Sequence, residues 1–105
     1  SYAKQYIRSQ FHTNITLEKI ASELNISTYY LSRVFSSESS FTLSNYLTSV
    51  RMENAAKLLE DPCRNISEVA YMVGFSDPHY FSKVFKLHFG VSPKTYRASL
   101  APADN

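Results

Sequence analysis

The chain is poor in the residues that punctuate a backbone, with only two glycines and four prolines among 105 residues. So few reversals argue against an all-β protein, which needs a tight turn every several residues. Its single cysteine, Cys63, cannot form an internal disulfide. That pattern suits a reducing, intracellular compartment and predicts a cytoplasmic location. No apolar run approaches the roughly 18–20 residues that span a bilayer, and no signal-peptide pattern opens the chain. No membrane association is expected.

Charge of either sign is also in short supply. Eleven Lys and Arg against nine Asp and Glu leave a net charge of +2. This balance permits an anionic partner without requiring one, so the placement of the charges must decide.

The chemistry of an active site is missing as well. His12, His79 and His88 are widely separated, and no Cys/His spacing resembles a zinc site. Glu53, Glu60, Asp61 and Glu68 read as solvated faces and helix caps rather than a catalytic pair. There is no Gly-rich phosphate loop. Neither an enzyme, a cofactor nor a bound metal is expected. Three N-x-[ST] triplets begin at Asn14, Asn25 and Asn65. Each sits where a helix starts or stops, so they read as caps rather than glycosylation sites.

What the chain does have is apolar material at helical spacing. Hydrophobic residues make up 44% and aromatics 14%, enough for a core. A first helix is predicted over 2–11 and a second over 17–24, capped by Thr16. Asn25 then takes the left-handed conformation that a helix end often needs. Ser27 caps a third helix over about 28–38. Thr42 opens a longer one to about Glu60, a rod of roughly 27 Å at 1.5 Å per residue. Its apolar residues are Leu43, Tyr46, Leu47 and Val50, then Ala55, Ala56, Leu58 and Leu59. The stripe drifts, so the two ends should pack on different neighbours. The series then restarts: a helix over 66–73 capped by Asn65 and ended by Gly74, one over about 77–88 capped by Ser76, and a short last one opened by Ser92-Pro93. The tail from 101 to 105 should fray.

The restart is a repeat. Leu17, Ile20, Ala21, Leu24, Asn25, Ile26 and Ser27 match Ile66, Val69, Ala70, Val73, Gly74, Phe75 and Ser76. After a one-residue insertion, Tyr30, Leu31, Ser32, Arg33, Val34 and Phe35 match Tyr80, Phe81, Ser82, Lys83, Val84 and Phe85, and further on Tyr46 matches Tyr96. Each copy is helix, three-residue turn, helix, which is the helix-turn-helix pattern. The expected fold is all-α: seven helices in two helix-turn-helix subdomains, 1–41 and 62–100, joined by a linker helix over 42–61.

On a helical wheel, Tyr30, Leu31, Val34 and Phe35 share one arc of the third helix; Thr28, Tyr29, Ser32, Arg33 and Ser36 share the other. In the sixth, Tyr80, Phe81, Val84 and Phe85 oppose Pro78, His79, Ser82, Lys83 and Lys86. The letters the two copies share form the apolar arc, predicted to be buried. The letters that differ lie on the polar arc, predicted to be exposed. One frame thus presents two surfaces of the same shape, each suited to the roughly 12 Å major groove of B-DNA. Arg33 could fork onto guanine O6 and N7, and Lys83 could reach the same atoms as a point charge. Ser32, Ser82 and His79 can donate or accept, and Tyr29 offers an apolar edge or a hydroxyl. Helix N-termini at Thr28, Ser76 and Asp77, with Ser36, Lys86, Lys94 and Arg97, could hold phosphates.

With these residues in view, the chain resembles the DNA-binding domain of the AraC/XylS family of bacterial transcription regulators. The resemblance rests on "ITLEKIASELNISTYYLSRVF", "YLTSVRMENAAKLL", "ISEVAYMVGFSDPHYFSKVFK" and "FGVSPKTYR", spanning Ile15 to Arg97. It implies sequence-specific binding of double-stranded DNA, with recognition helices at about 28–38 and 77–88 in major-groove segments about one turn, roughly 34 Å, apart. If the connecting rod is rigid, bending of the DNA is expected, at a cost of about 1–6 kcal/mol. Carried over by motif, the base-contacting positions fall on Tyr29, Ser32 and Arg33, then on Pro78, His79, Ser82 and Lys83. Two positions depart from the family. Ser40 stands where a glycine is usual, and Pro78 brings no side-chain donor to a reading position. The family carries this domain behind a sensor, ligand-binding or receiver domain, so a piece of a longer regulator is expected, touching RNA polymerase if it activates.

A helical protein-interaction module is the rival reading, favoured by the low net charge. Against it, Lys83, Lys86, Lys94 and Arg97 lie in a stretch free of acids from 79 to 97. The 28/32/36 face also carries hydroxyls where such a module would expose apolar groups.

Overall fold

The computed structural model describes residues 2–38 and 42–100. Seven helices follow in order: α1 Tyr2–Gln10, α2 Leu17–Glu23, α3 Thr28–Glu38, α4 Leu43–Leu58, α5 Ile66–Met72, α6 Pro78–Phe89 and α7 Pro93–Ser99. There is no strand among the described residues. The expected Ser40 turn and the tail from 101 lie outside them.

Local chemistry accounts for most of the boundaries. The side chains of Thr16, Thr42 and Ser92 accept from the backbone N–H three residues on, as N-caps should. Asn65 and Glu68 bond reciprocally in a capping box at 2.8 Å each. Both inner turns close in the same way. Ile26 N–H reaches Ala21 O at 3.0 Å, and Phe75 N–H reaches Ala70 O at 2.9 Å. Asn25 N–H meets Ser22 O, and Gly74 N–H meets Tyr71 O. This pair of bonds is the Schellman motif and needs a left-handed residue, here Asn25 at φ 58° and Gly74 at φ 100°.

One boundary differs from the sequence expectation. Ser76 does not cap α6; Asp77 does, its carboxylate accepting from His79 N–H at 2.9 Å, with Pro78 at the first helical position. A proline there has no N–H to satisfy and its φ is already helical, so the helix begins one residue later than a serine cap would allow.

The apolar residues form two clusters. Ile7, Ile20, Leu31, Phe35, Leu43 and Val50 belong to the first. Met52, Leu59, Val69, Val73, Phe81 and Phe85 belong to the second. The division falls within α4, between Val50 and Met52, which is the physical form of its drifting stripe. Each end of α4 is therefore built into a core. Phe11 packs against both clusters. The repeat recurs as the same aromatic pair: Phe35 meets Tyr46 at 5.8 Å between ring centroids, and Phe85 meets Tyr96 at 5.5 Å. Burying a phenylalanine of this kind contributes about 1.5–3 kcal/mol. The molecule is elongated, 53 × 24 × 21 Å.

Candidate nucleic-acid interface

On α3, Leu31 and Phe35 are buried, and Tyr29, Arg33 and Ser36 are exposed. Thr28 and Ser32 are half-buried. On α6, Phe81 and Phe85 are buried, and His79, Lys83 and Lys86 are exposed, with Pro78 and Ser82 half-buried. Equivalent positions of the two copies thus have equivalent burial. Arg33 and Lys83 occupy the same place on helices held by matched cores.

Of the residues assigned to the buried arcs, Val34 and Val84 are half-buried and two are exposed. Tyr30 is 57% exposed and Tyr80 58%. Both lie at the edge of the apolar arc in the first turn of their helices, where the ring can lean on a neighbour while the hydroxyl stays in water. Tyr80 leans on Phe75, at 6.0 Å between centroids. The exposed surface of each helix is wider than the wheel suggested. Leu87, on the same flank of α6, is 87% exposed.

Arg33 is pre-set. Its Nη1 donates to the Tyr29 hydroxyl at 3.1 Å, and the guanidinium lies 5.6 Å from the Tyr29 ring centroid. The pair is one helical turn apart, the spacing at which side chains meet on a helix. A planar fork held over an aromatic face loses less freedom on engaging a planar acceptor edge.

The N-termini of the two helices differ. At α3, Ser27 Oγ accepts from Tyr30 N–H at 3.0 Å. At α6 a carboxylate performs the capping. The Asp77 carboxylate accepts and cannot donate, so it would repel a phosphate rather than hold one. Its expected role as a phosphate contact does not fit this chemistry; it orders α6. Ser76, one residue earlier, is exposed.

Arg97, also expected at a phosphate, is committed elsewhere. Its Nε donates to Leu59 O and its Nη2 to Asp61 O, both at 3.0 Å. The Leu59 carbonyl is at the C-cap of α4, where helical partners have run out, and the Asp61 carbonyl lies in the turn that follows, where it also accepts from Arg64 N–H. The α7 residue Lys94 is exposed. Among the described residues the ion pairs are Arg8–Glu53 at 4.0 Å and Arg64–Asp61 at 3.5 Å. Neither involves Lys83, Lys86 or Lys94, so these three ammonium groups remain available to an anion.

Sequence reasoning passed over Arg51. Its Nε donates to Phe11 O at 2.9 Å and its Nη2 to Thr13 O at 3.0 Å. Desolvation lowers its pKa from the usual arginine value. The available signal was a lone arginine on the linker helix between Val50 and Met52, both of which are buried. Among the described residues no group of His, Cys, Asp and Glu could hold a metal ion, and no helix is long and apolar enough to cross a membrane.

Comparison with known proteins agrees with this architecture. A helix-turn-helix domain family matches residues 20–99. The Msm operon regulatory protein of Streptococcus mutans is 38% identical over 97 residues, covering 92% of this chain and 35% of that protein. The chain therefore spans about a third of the length of such curated relatives. Among solved structures, the C-terminal domain of AraT, a response regulator from Geobacillus stearothermophilus, is 40% identical. It superposes with a TM-score of 0.91 over 98% of this chain and 88% of that one. The DNA-binding domain of AdpA, a global transcriptional factor solved with a target DNA, is 27% identical, with a TM-score of 0.86 over 92% of this chain and 87% of that one. The family match over most of the chain, the duplicated helix-turn-helix and the shared fold lead to one conclusion: this chain belongs to the AraC-type helix-turn-helix family.

Proposed function

We propose that this chain is a sequence-specific double-stranded DNA-binding domain that lays α3 and α6 in adjacent major-groove segments. The observation that carries the reading is the pair of equivalent exposed faces, Tyr29–Arg33 and His79–Lys83, mounted on matched cores. The likeness to the AdpA domain, solved with DNA, supports it. The division into subdomains 1–41 and 62–100 around a linker at 42–61 belongs to the same proposal, with the qualification that α4 is part of both cores.

The proposed base-contacting residues are Tyr29, Ser32, Arg33, Pro78, His79, Ser82 and Lys83. Pro78 would contribute apolar contact alone. Thr28, Ser36, Ser76, Lys86 and Lys94 are proposed at phosphates. Arg97 and Asp77 are set outside that group, for the reasons of bonding and charge given above. The parent protein is proposed to be a bacterial transcription regulator acting in the cytoplasm, with this domain behind a sensor or receiver domain. Where it activates, contact with RNA polymerase is proposed.

Selection of bound fragments from random duplex DNA, followed by sequencing, tests the reading. Enrichment of two short motifs about one helical turn apart supports it. Recovery of no motif, or of one isolated motif, refutes it.

A further inference from the structure

The two helix-turn-helix units meet along a narrow seam. On one side is the loop after α1, residues 11–13; on the other is the turn between α5 and α6. An added Cβ at Gly74 would lie 2.6 Å from Phe11 O and 3.0 Å from Arg51 Nε. The second unit's turn is therefore set directly against the first unit's loop. The seam is not sealed. A cleft of about 310 Å³ opens beside it, lined by His12, Asn14, Tyr71, Gly74, Phe75 and Ser76.

Arg51 spans this seam. Its two hydrogen bonds reach Phe11 O and Thr13 O in the first unit. Its guanidinium lies 5.5 Å from the Phe75 ring centroid in the second. Phe75 stands two residues before the cap of α6, and Thr13 three residues before the cap of α2. One side chain on α4 thus ties the loop leading into α2 to the turn leading into α6.

We propose that Arg51 is the positioning residue that sets the spacing and angle between α3 and α6, and so the separation of DNA segments the domain accepts. The inference rests on the DNA-reading function proposed above. A lysine at 51 would keep the charge but offers a point donor in place of a planar fork that can span two carbonyls and stack at once. Arg97 is the built-in control. It makes the same pair of bonds, Nε to one carbonyl and Nη2 to the carbonyl two residues on, but from α7 to the far end of the linker, which packs in the second core and does not reach the first.

Two measurements test this. The first uses the duplex recovered by the wild-type domain from the random library, and the same duplex with one base pair inserted between its two motifs. The insertion moves the second motif by about 3.4 Å and turns it by roughly 35°. The wild type should lose about tenfold or more in affinity, having sacrificed base contacts of one helix. Arg51→Met should bind the original duplex more weakly, yet show a much smaller ratio between the two duplexes. Arg51→Lys should fall between. Arg97→Met should keep the wild-type ratio whatever its stability.

The second measurement needs no DNA. Spin labels at Ser37→Cys and His88→Cys, in a Cys63→Ser background, report the distance between α3 and α6. A narrow distribution should broaden in Arg51→Met and stay narrow in Arg97→Met. An unchanged ratio and an unchanged width in folded Arg51→Met overturn the proposal. If Arg51→Met does not fold, the same two readouts on Arg51→Lys decide it. If selection recovers no paired motif, the DNA-reading function fails, and the label widths alone decide whether Arg51 locks the units.

Discussion

Arg33 Nη1 donates to the hydroxyl of Tyr29, one turn back along α3, at 3.1 Å. Two side chains of the exposed face of α3 are therefore coupled before any partner arrives. The first recognition helix presents an ordered guanidinium; the second presents a lysine with no such brace.

That difference yields a graded expectation. Arg33→Ala should cost about 1–3 kcal/mol on the selected duplex and relax preference at one base pair. Tyr29→Phe keeps the ring and removes only the acceptor, so its loss should be near the 0.2–0.5 kcal/mol of an i,i+4 pair, roughly speaking. Titrations against all four variants of each base pair check both. Equal loss on selected and scrambled DNA for Arg33→Ala would remove its reading role.

Lys86 and Lys94 should behave differently. Alanine at either position should weaken binding to every sequence alike and reduce the slope of log affinity against log salt by about one. The measurement is a salt series on selected and scrambled duplexes. A loss confined to the selected duplex would assign the lysine to a base instead.

Asp77 offers a test in the opposite direction. Asp77→Asn keeps a capping oxygen for His79 N–H and removes a negative charge from the start of α6. Binding should tighten on all sequences by about 1 kcal/mol or less, the scale of a solvent-screened charge pair. The same salt series should show a steeper slope. Weaker binding at unchanged stability would mean the carboxylate contacts a base directly.

The two glycines separate backbone conformation from close approach. Both have positive φ, 100° at Gly74 and 83° at Gly90, so alanine at either should cost about 1–2 kcal/mol. Gly90 has open space around it, whereas Gly74 faces Phe11 O and Arg51. Gly74→Ala should therefore cost about 1–3 kcal/mol more, the usual range for overpacking. Urea denaturation of the two variants compares them directly.

Most of the fold was legible in the sequence because its boundaries are local events. Thr16, Thr42, Asn65 and Ser92 cap helices through bonds to backbone three residues away. Asn25 and Gly74 close their turns within six residues. The exception at Asp77 is local too; Pro78 carried the signal, and the serine before it was the distraction. The outward faces of α3 and α6 followed from helical periodicity. The edges of those faces did not, since a tyrosine at the rim of an arc can sit either way. Tyr30 and Tyr80 sit outward because burial would strip water from a hydroxyl with no partner inside.

By itself the sequence determined that there are two copies of one helical frame, which side of each frame is apolar, and which letters differ on the other side. These depend on spacing along the chain, and spacing is preserved in a one-dimensional string. Tertiary structure alone decided what Arg51 and Arg97 do. Their carbonyl partners lie 36 to 40 residues away, and only folding brings a loop or helix end within reach of a guanidinium. The close approach of the two frames was decided there as well, because Gly74 meets the loop after α1 across more than sixty residues of sequence.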